Sequence, residues 1–309
     1  MASGRVAELG RPRWRGERHR LEVWYATFTD TATGDGYWLH HEVVAPTDED
    51  ARPYAHGWLS VFPAKNGAPT TTRFGPAPPG EKGWFSADDV LVEDGALRGP
   101  SWDLAFTDAA RPLYTFPKLA WDRELLPAAQ IVPYPTATFR GIVNGTQIDN
   151  GRGALARIYG HGSAERWAWL HADLGDGDLV EIVAAAPRKR GPLNVRPLPV
   201  VRLRVDGQDW PSGQGNNLTN AVIGRANVAL PRWSVSLRTL RRRLRAAVLV
   251  PPEGSVALTY VDPDGSTATC TNSARASAEI TLEAYDGGWR TERHWTLEGT
   301  AHAEVGTRP

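Results

Sequence analysis

An all-β fold of roughly a dozen and a half short strands is what this chain predicts. Three observations carry that expectation. Short runs rich in Val, Ile, Thr, Trp and Tyr alternate between apolar and polar positions, the period of a half-buried strand. Compact turn signals such as Asn144-Gly145, Asp176-Gly177 and Asp206-Gly207 separate them, and these suit hairpins. Hardly any segment sustains the 3.6-residue period of an amphipathic helix. The one competitor is Ser234 to Val248, where Leu237, Leu240 and Leu244 would line one face and Arg238, Arg241, Arg242 and Arg245 the other.

Residues 1–19 read as a polar arm, disordered or lying on the surface. Leu21 to Thr29 and Tyr37 to Val44 form a hairpin about a turn at Asp30 to Gly36. Glu22, Trp24, Ala26 and Phe28 share a face of the first strand; Trp38, His40, Glu42 and Val44 share one of the second. Ala55 to Phe62 is a third strand, with His56, Trp58 and Ser60 on one side. Breakers make Pro63 to Gly83 a loop. Trp84 to Val92 and Ser101 to Thr107 flank the Glu93-Asp94-Gly95 turn, and Trp102, Leu104 and Phe106 form an apolar face on the latter. Tyr114 to Pro135 holds four prolines and mixed polarity. That composition makes 117–136 the expected linker between an N-terminal β domain, 20–116, and a C-terminal β domain, 137–309. A short helix fits at Pro127 to Ile131.

The second half restarts with Phe139 to Val143, Asn144-Gly145 and Thr146 to Asp149, the strongest local hairpin signal in the chain. Ala154 to Tyr159 leads through Gly160-His161-Gly162 to Arg166 to Leu174. Leu179 to Ala186 follows, and then a hairpin of Val200 to Val205 with Gln208 to Trp210. Pro211 to Asn220 reads as loop. Strands at Arg232 to Leu237, Leu244 to Val250, Val256 to Val261 and Ser266 to Thr271 come next. Ala276 to Tyr285, Trp289 to Leu297 and Thr300 to Val305 close the chain as a meander.

Arg166 to Leu174 carries the sharpest functional signal. As a strand it puts Trp167, Trp169, His171 and Asp173 on one face and Ala168, Leu170 and Ala172 among the residues of the other. Two indoles, an imidazole and a carboxylate in one row suit the wall of a pocket for an apolar molecule with a polar tip. The plainer reading is that His171 and Asp173 bond each other or a neighbouring strand.

Lys+Arg and Asp+Glu both number 35, so the net charge is zero. This argues against a nucleic-acid or general anionic-membrane binder, which wants a basic excess. The single Cys270 forms no internal disulfide, no Cys/His cluster has metal-ligand spacing, and a cytoplasmic, reducing location is the expectation. The arm is Arg-rich (Arg5, Arg11, Arg13, Arg15, Arg18, Arg20) but lacks an apolar stretch, so it does not resemble a secretory signal. No apolar run is long enough to span a membrane. The glycosylation sequons Asn144-Gly145-Thr146 and Asn217-Leu218-Thr219 then read as accidental. Thirteen Trp against seven Phe and one Met is unusual, and each indole reads as core filler or as ligand surface.

Gly160-His161-Gly162 lacks the third glycine and the helix of a nucleotide loop, and Gly162-Ser163-Ala164 does not complete a nucleophile elbow. His40 and His41 point to opposite faces of a strand and cannot share a metal. Ionisable groups beside indoles remain: Trp38/His40/Glu42, Trp167/Trp169/His171/Asp173, and Glu22/Trp24. A carboxylate or imidazole in apolar surroundings shifts toward neutrality and can act as a general acid. Indole faces stabilise a nearby carbocation. Together they suit protonation of an olefin followed by hydration or ring closure.

Glu22-Val23-Trp24-Tyr25, Gly99-Pro100-Ser101-Trp102-Asp103-Leu104, Tyr159-Gly160-His161-Gly162 feeding Arg166-Trp167-Ala168-Trp169-Leu170, and the closing Gly299 to Gly306 together resemble a lipocalin-like family. That family includes carotenoid 1,2-hydratase (hydroxyneurosporene synthase), AttH-type proteins, tocopherol cyclase and related Diels–Alder cyclases. The resemblance implies two lipocalin-like antiparallel β-barrel (calycin-like) domains packed together around an isoprenoid or polyketide, with no metal or other cofactor. The Tyr-Gly-His-Gly element departs from the Asp/His-Trp-Gly of many relatives.

The expected activity is therefore a cofactor-independent hydratase or cyclase, a lyase or isomerase, acting on an apolar isoprenoid- or polyketide-like molecule. His171, oriented by Asp173, is the leading acid/base, with Glu42 and His40 next. Trp24, Tyr25, Trp38, Trp58, Trp102, Tyr159, Trp167 and Trp169 are expected to shape the cavity. The expected partner is an apolar small molecule, with peripheral membrane contact as the way to fetch it and no nucleic acid. The rival readings are a non-catalytic carrier or sensor of a lipophilic ligand, and a carbohydrate-binding β-protein with a flat row of exposed indoles.

Overall fold

The computed structural model describes residues 2–65, 67–188, 195–212 and 223–309. The Asn217-Leu218-Thr219 sequon and most of the expected 211–220 loop lie outside the described residues. Almost all regular structure is β, arranged in two antiparallel sheets.

The first sheet opens with the meander β1 (Arg20–Asp30), β2 (Gly36–Ala45), β3 (Tyr54–Phe62) and β4 (Thr70–Ala77). A second meander follows: β5 (Phe85–Ala87), β6 (Val90–Glu93), β7 (Ala96–Gly99) and β8 (Trp102–Thr107). After the short β9 (Leu113–Tyr114), the long hairpin of β10 (Ala128–Val143) and β11 (Thr146–Gly160) joins the two meanders. Spatial order is β4-β3-β2-β1-β11-β10-β8-β7-β6-β5, with β9 on β10. β5 returns against β3, so the sheet is nearly a closed barrel. Trp24, Phe28, Leu39, Trp102, Phe106 and Phe139 fill it.

The second sheet takes β12 (Arg166–Gly175), β13 (Asp178–Ala186), β14 (Leu198–Val205), β15 (Gln208–Trp210) and β16 (Arg225–Asn227). It continues through β17 (Arg232–Arg238), β18 (Arg242–Leu249), β19 (Val256–Val261), β20 (Thr267–Tyr285) and β21 (Trp289–Thr307). Its order is β15-β14-β13-β12-β21-β20-β18-β17-β16, with β19 on β20. The segment that competed as a helix is the β17–β18 hairpin. Trp233, Val235 and Leu237 are buried opposite Val248, Ala246 and Leu244, so the two-residue period prevails once both strands have partners.

Two boundaries differ from the sequence reading. The chain changes sheet between Gly160 and Arg166, not at 117–136. Within the expected linker, α2 (Lys118–Asp122) is followed by the start of β10. Pro133 and Pro135 sit where the β10–β11 register shifts, and such bulges accommodate residues that cannot donate to the ladder. The arm, in turn, is not loose. It begins with the helix α1 (Ala2–Gly10), and Val6 and Ala7 pack on the barrel core. Gly10 O accepts the Trp24 indole N–H at 2.7 Å. The buried Glu22 carboxylate accepts the backbone N–H groups of Arg13 and Trp14 (2.9 and 3.0 Å) and pairs with buried Arg157. Losing one member of such a pair strands the other's charge, at a cost of about 3–5 kcal/mol.

The sheets meet along a third apolar layer that draws Leu21, Val23, Tyr25 and Trp38 from the first and Trp169, Leu179 and Leu258 from the second. Among the described residues no helix is long and apolar enough to cross a membrane.

Candidate functional site

Strand parity decides which side chains reach this seam. On β1, Trp24, Ala26 and Phe28 point into the barrel, leaving Leu21, Val23 and Tyr25 for the seam. On β2, Tyr37, Leu39 and Val43 point inward and Trp38, His40 and Glu42 outward. On β12, Ala168, Leu170 and Ala172 enter the second sheet's core, so Trp167, Trp169 and His171 turn to the seam. Register then lines these residues up. Glu42 lies opposite Val23, Val23 opposite Ile158, and Ile158 opposite Gln130. In the next row Tyr25 lies opposite His40, which lies opposite Trp58. Across the seam Trp169 lies between Glu304 and Val183.

These rows enclose a cavity of about 850 Å³, within the range of small-molecule sites. Tyr25, Trp38, His40 and Glu42 wall it from the first sheet; Trp167, Trp169 and Glu304 do so from the second. Tyr260 of β19 also lines it, its ring stacked toward His40 (5.5 Å) and Trp167 (6.3 Å). Trp167 lies flat over Gly306, where a Cβ would collide with the indole. That fit lets Trp167 Nε1 donate to Glu304 Oε1 at 2.8 Å, while Asn272 Nδ2 donates to Oε2 at 3.1 Å. A larger cleft of about 1510 Å³ runs along Asp94, Asp108, Arg111 and Asp209. None of the expected site residues lines it, and its Arg111 already pairs with Asp209.

The first-sheet wall holds an ionic cluster. His40 Nε2 donates to Glu42 Oε2 at 3.2 Å, and His56 Nε2 lies 3.3 Å from the same oxygen. A carboxylate only accepts, which places the proton on Nε2 of His40. Burial works against the Glu42 charge, but hydrogen bonds from His40 and His56, and their charges, overcome it and hold this carboxyl at about 2. Burial lowers His40 despite Glu42 beside it, so at neutral pH it is an imidazole with Nδ1 unprotonated. Trp58 is fully buried behind it, the two rings parallel at 4.1 Å. The indole therefore supports His40 and is not itself on the cavity wall.

The second sheet also has a histidine–carboxylate pair, but not the expected one. His171 is bonded through Nδ1 to Glu181 Oε2 at 2.9 Å. Asp173 is half-exposed and accepts the backbone N–H of Gly175 at 2.9 Å, capping its own turn. Glu181 stands directly across the ladder from His171, where side chains lie about 5 Å apart, closer than residues two apart on one strand. Glu181 also accepts the Trp169 indole N–H (2.7 Å) and the Gln130 amide, and Gln130 accepts the Tyr25 hydroxyl at 3.2 Å. Burial, then the charge of Glu181, raises the Tyr25 hydroxyl well above its ordinary range, so it stays protonated. Neither His171 nor Glu181 lines the cavity; they sit behind two groups that do.

Three further expected cavity residues lie elsewhere. Trp24 and Trp102 are inside the first barrel, Trp102 beside Phe74 and His41. Tyr159 packs with Trp121, Ala129 and Ile131 under the Arg13 guanidinium. Each lies on a strand whose apolar parity was legible, but parity does not say which face meets the seam. The sequence reading missed Glu304, Tyr260, Gln130 and Glu181 as site residues. His302 and Glu304 alternate with Ala301, Ala303 and Val305, a signal that could have found Glu304. The others depend on long-range register. The flat exposed platform of a carbohydrate binder is absent from the expected indoles, since Trp24, Trp38, Trp58, Trp102 and Trp169 are all buried.

The chain is 46% identical over 308 residues to an uncharacterized protein of Mycobacterium tuberculosis, covering 96% of this chain and 89% of that one. Among solved structures it is similar to an AttH-like protein of Nitrosomonas europaea (TM-score 0.54, 12% identity, 93% and 92% of the two chains). It is also similar to kievitone hydratase of Nectria haematococca (TM-score 0.52, 9% identity, 92% and 88%). At such identities the likeness concerns the fold alone, two lipocalin-like antiparallel β units packed together. The tocopherol cyclase-like family model matches residues 81–307, and the chain belongs to the tocopherol cyclase-like family.

Proposed function

We propose that this protein hydrates or cyclises an apolar, isoprenoid- or polyketide-like small molecule by proton transfer, without a cofactor, in the seam cavity. One observation carries the reading: six aromatic rings, those of Tyr25, Trp38, Phe116, Trp167, Trp169 and Tyr260, line one cavity together with His40, Glu42 and Glu304, while His19, His161, Arg188 and Asp264 complete its ionisable lining. A proton delivered at the cavity wall would add to an olefinic carbon. The faces of Trp38, Trp167 and Trp169 would stabilise the resulting cation. Water, or a hydroxyl of the same molecule, would close on the cation and yield its proton to His40 Nδ1, with Glu42 stabilising the imidazolium. One proton is added to the carbon and one is taken from the water or hydroxyl, so the sum is addition of water or ring closure, with no net oxidation. His171 acts at one remove, holding Glu181 and through it Trp169, Gln130 and Tyr25.

The test starts with native mass spectrometry of protein purified from its own host, seeking a co-purified apolar compound. That compound is then incubated with wild type, His40→Ala and Glu42→Gln. Conversion by wild type to a hydrate or an isomer, reduced at least ~100-fold in both variants, is the expected result. Retention of the compound with no conversion by wild type would instead make the protein a carrier.

A further inference from the structure

Far from the cavity, the second sheet ends in two adjacent hairpin tips. Residues 239–241 join β17 to β18, and 286–288 join β20 to β21. β18 pairs with β20, and the Tyr285 N–H donates to Arg241 O at 2.8 Å, so the tips lie side by side. Leu240 stands at one apex, 93% exposed, and Tyr285 flanks the other at 50%. The half-buried Trp289 ring sits near the guanidiniums of Arg238 and Arg243 at 5.0 and 4.7 Å. Arg242, Arg243 and Arg245 pair with Glu292 or Glu283. Among the described residues, no carboxylate is within ion-pair distance of Arg238, Arg241 or Arg290, and all three are exposed. Against these arginines stand Asp286 at the second tip and the paired Glu283 and Glu292, so on a chain that is neutral as a whole this end carries a positive excess.

We infer that these tips dock the protein on a bilayer containing anionic phospholipid. Unpaired arginines meet the headgroup charge, Leu240 enters the acyl boundary, and Tyr285 and Trp289 lie at the interface, where amphipathic rings are favoured. An exposed aliphatic apex favours lipid over nucleic acid, whose phosphate surface gives it nothing to bury in. Trp289 and Glu304 are at opposite ends of β21, about 50 Å apart along the strand, so docking leaves the cavity unobstructed.

The whole protein is sedimented with phosphatidylcholine vesicles and with vesicles containing about 30% phosphatidylglycerol, at ~0.1 M salt. Binding to the anionic vesicles alone, weakening as salt rises, is expected. Replacing Arg238, Arg241 and Arg290 together by Gln should lower partitioning by roughly 100-fold, about fivefold per arginine. Leu240→Ser should lower it severalfold. Equal binding to both vesicles, no binding to either, or an unaffected triple variant overturns the inference. So does an affinity for duplex DNA matching that for the anionic vesicles. The wild-type vesicle and salt comparisons stand whatever the variants' stability.

Discussion

Two histidine–carboxylate pairs face the seam, one from each sheet, and they differ in what they can touch. His40 and Glu42 stand on the cavity wall beside His56. His171 and Glu181 are sealed one layer back, with Glu181 collecting donors from His171, Trp169 and Gln130. The same two functional groups therefore serve different ends. A carboxylate holding a neutral imidazole at a cavity surface is poised to move a proton. A carboxylate gathering three donors from two sheets fixes the positions of its neighbours. The Trp-rich row of β12 singled out the second pair, but depth separates the two roles.

That distinction breaks most visibly at Glu42. Glu42→Gln should cut turnover of the co-purified compound by ~100-fold to 10,000-fold, while the folded variant still carries that compound. Unchanged turnover in the folded variant would mean the first pair takes no part in the chemistry. Glu181→Ala should show itself in stability. It leaves the buried His171, Trp169 and Gln130 donors without an acceptor, so chemical denaturation should show a loss of about 3 kcal/mol or more. Glu181→Ala as stable as wild type would contradict the bracing role.

Acidity sharpens the contrast at a further buried histidine. His302 lies between Thr27 Oγ1 (2.8 Å) and Thr29 Oγ1 (2.9 Å), tying β21 to β1. Burial, then the nearby charge of His171, lowers it to about 3. A histidine depressed in the folded state binds its proton more readily when unfolded. Its contribution is therefore intact above the unfolded value near 6.5 and is lost as pH falls from there toward 3. Glu42, depressed to about 2, adds a second loss below the usual carboxylate range, from about 4.5 downward. Denaturation midpoints measured from neutral pH to pH 4 should decline, and His302→Asn should flatten the decline. An unchanged slope in that variant would assign the acid sensitivity elsewhere. The smallest effect is reserved for Asp173→Asn. It should shift stability by no more than about 0.5 kcal/mol and leave turnover alone; a large loss would restore Asp173 to the site.

Much of this was written in local sequence. Alternation placed Trp167, Trp169 and His171 on one face and the alanines on the other, and Asn144-Gly145 marked a hairpin whose two turn residues both take positive φ (48° and 78°). What alternation cannot say is which face of a strand meets a second sheet. Trp24 and Trp102 therefore turned out to fill a barrel, while Tyr25, one residue from Trp24, reached the cavity. Glu304 lies opposite Trp169 although 135 residues separate them in the chain, and no local pattern encodes that pairing. The prolines of β10 misled because bulges let them remain within a strand.

Whether the seam holds a guest is the question beneath all of these. Val183 and Ala185 line its second-sheet side, and replacing Ala185 with Trp fills the space without touching an ionisable group. Native mass spectra of wild type and Ala185→Trp, prepared alike from the original host, give the most direct answer. Wild type should carry a stoichiometric apolar adduct, and the folded variant should carry none. The same adduct on both proteins would place the guest elsewhere and contradict the account.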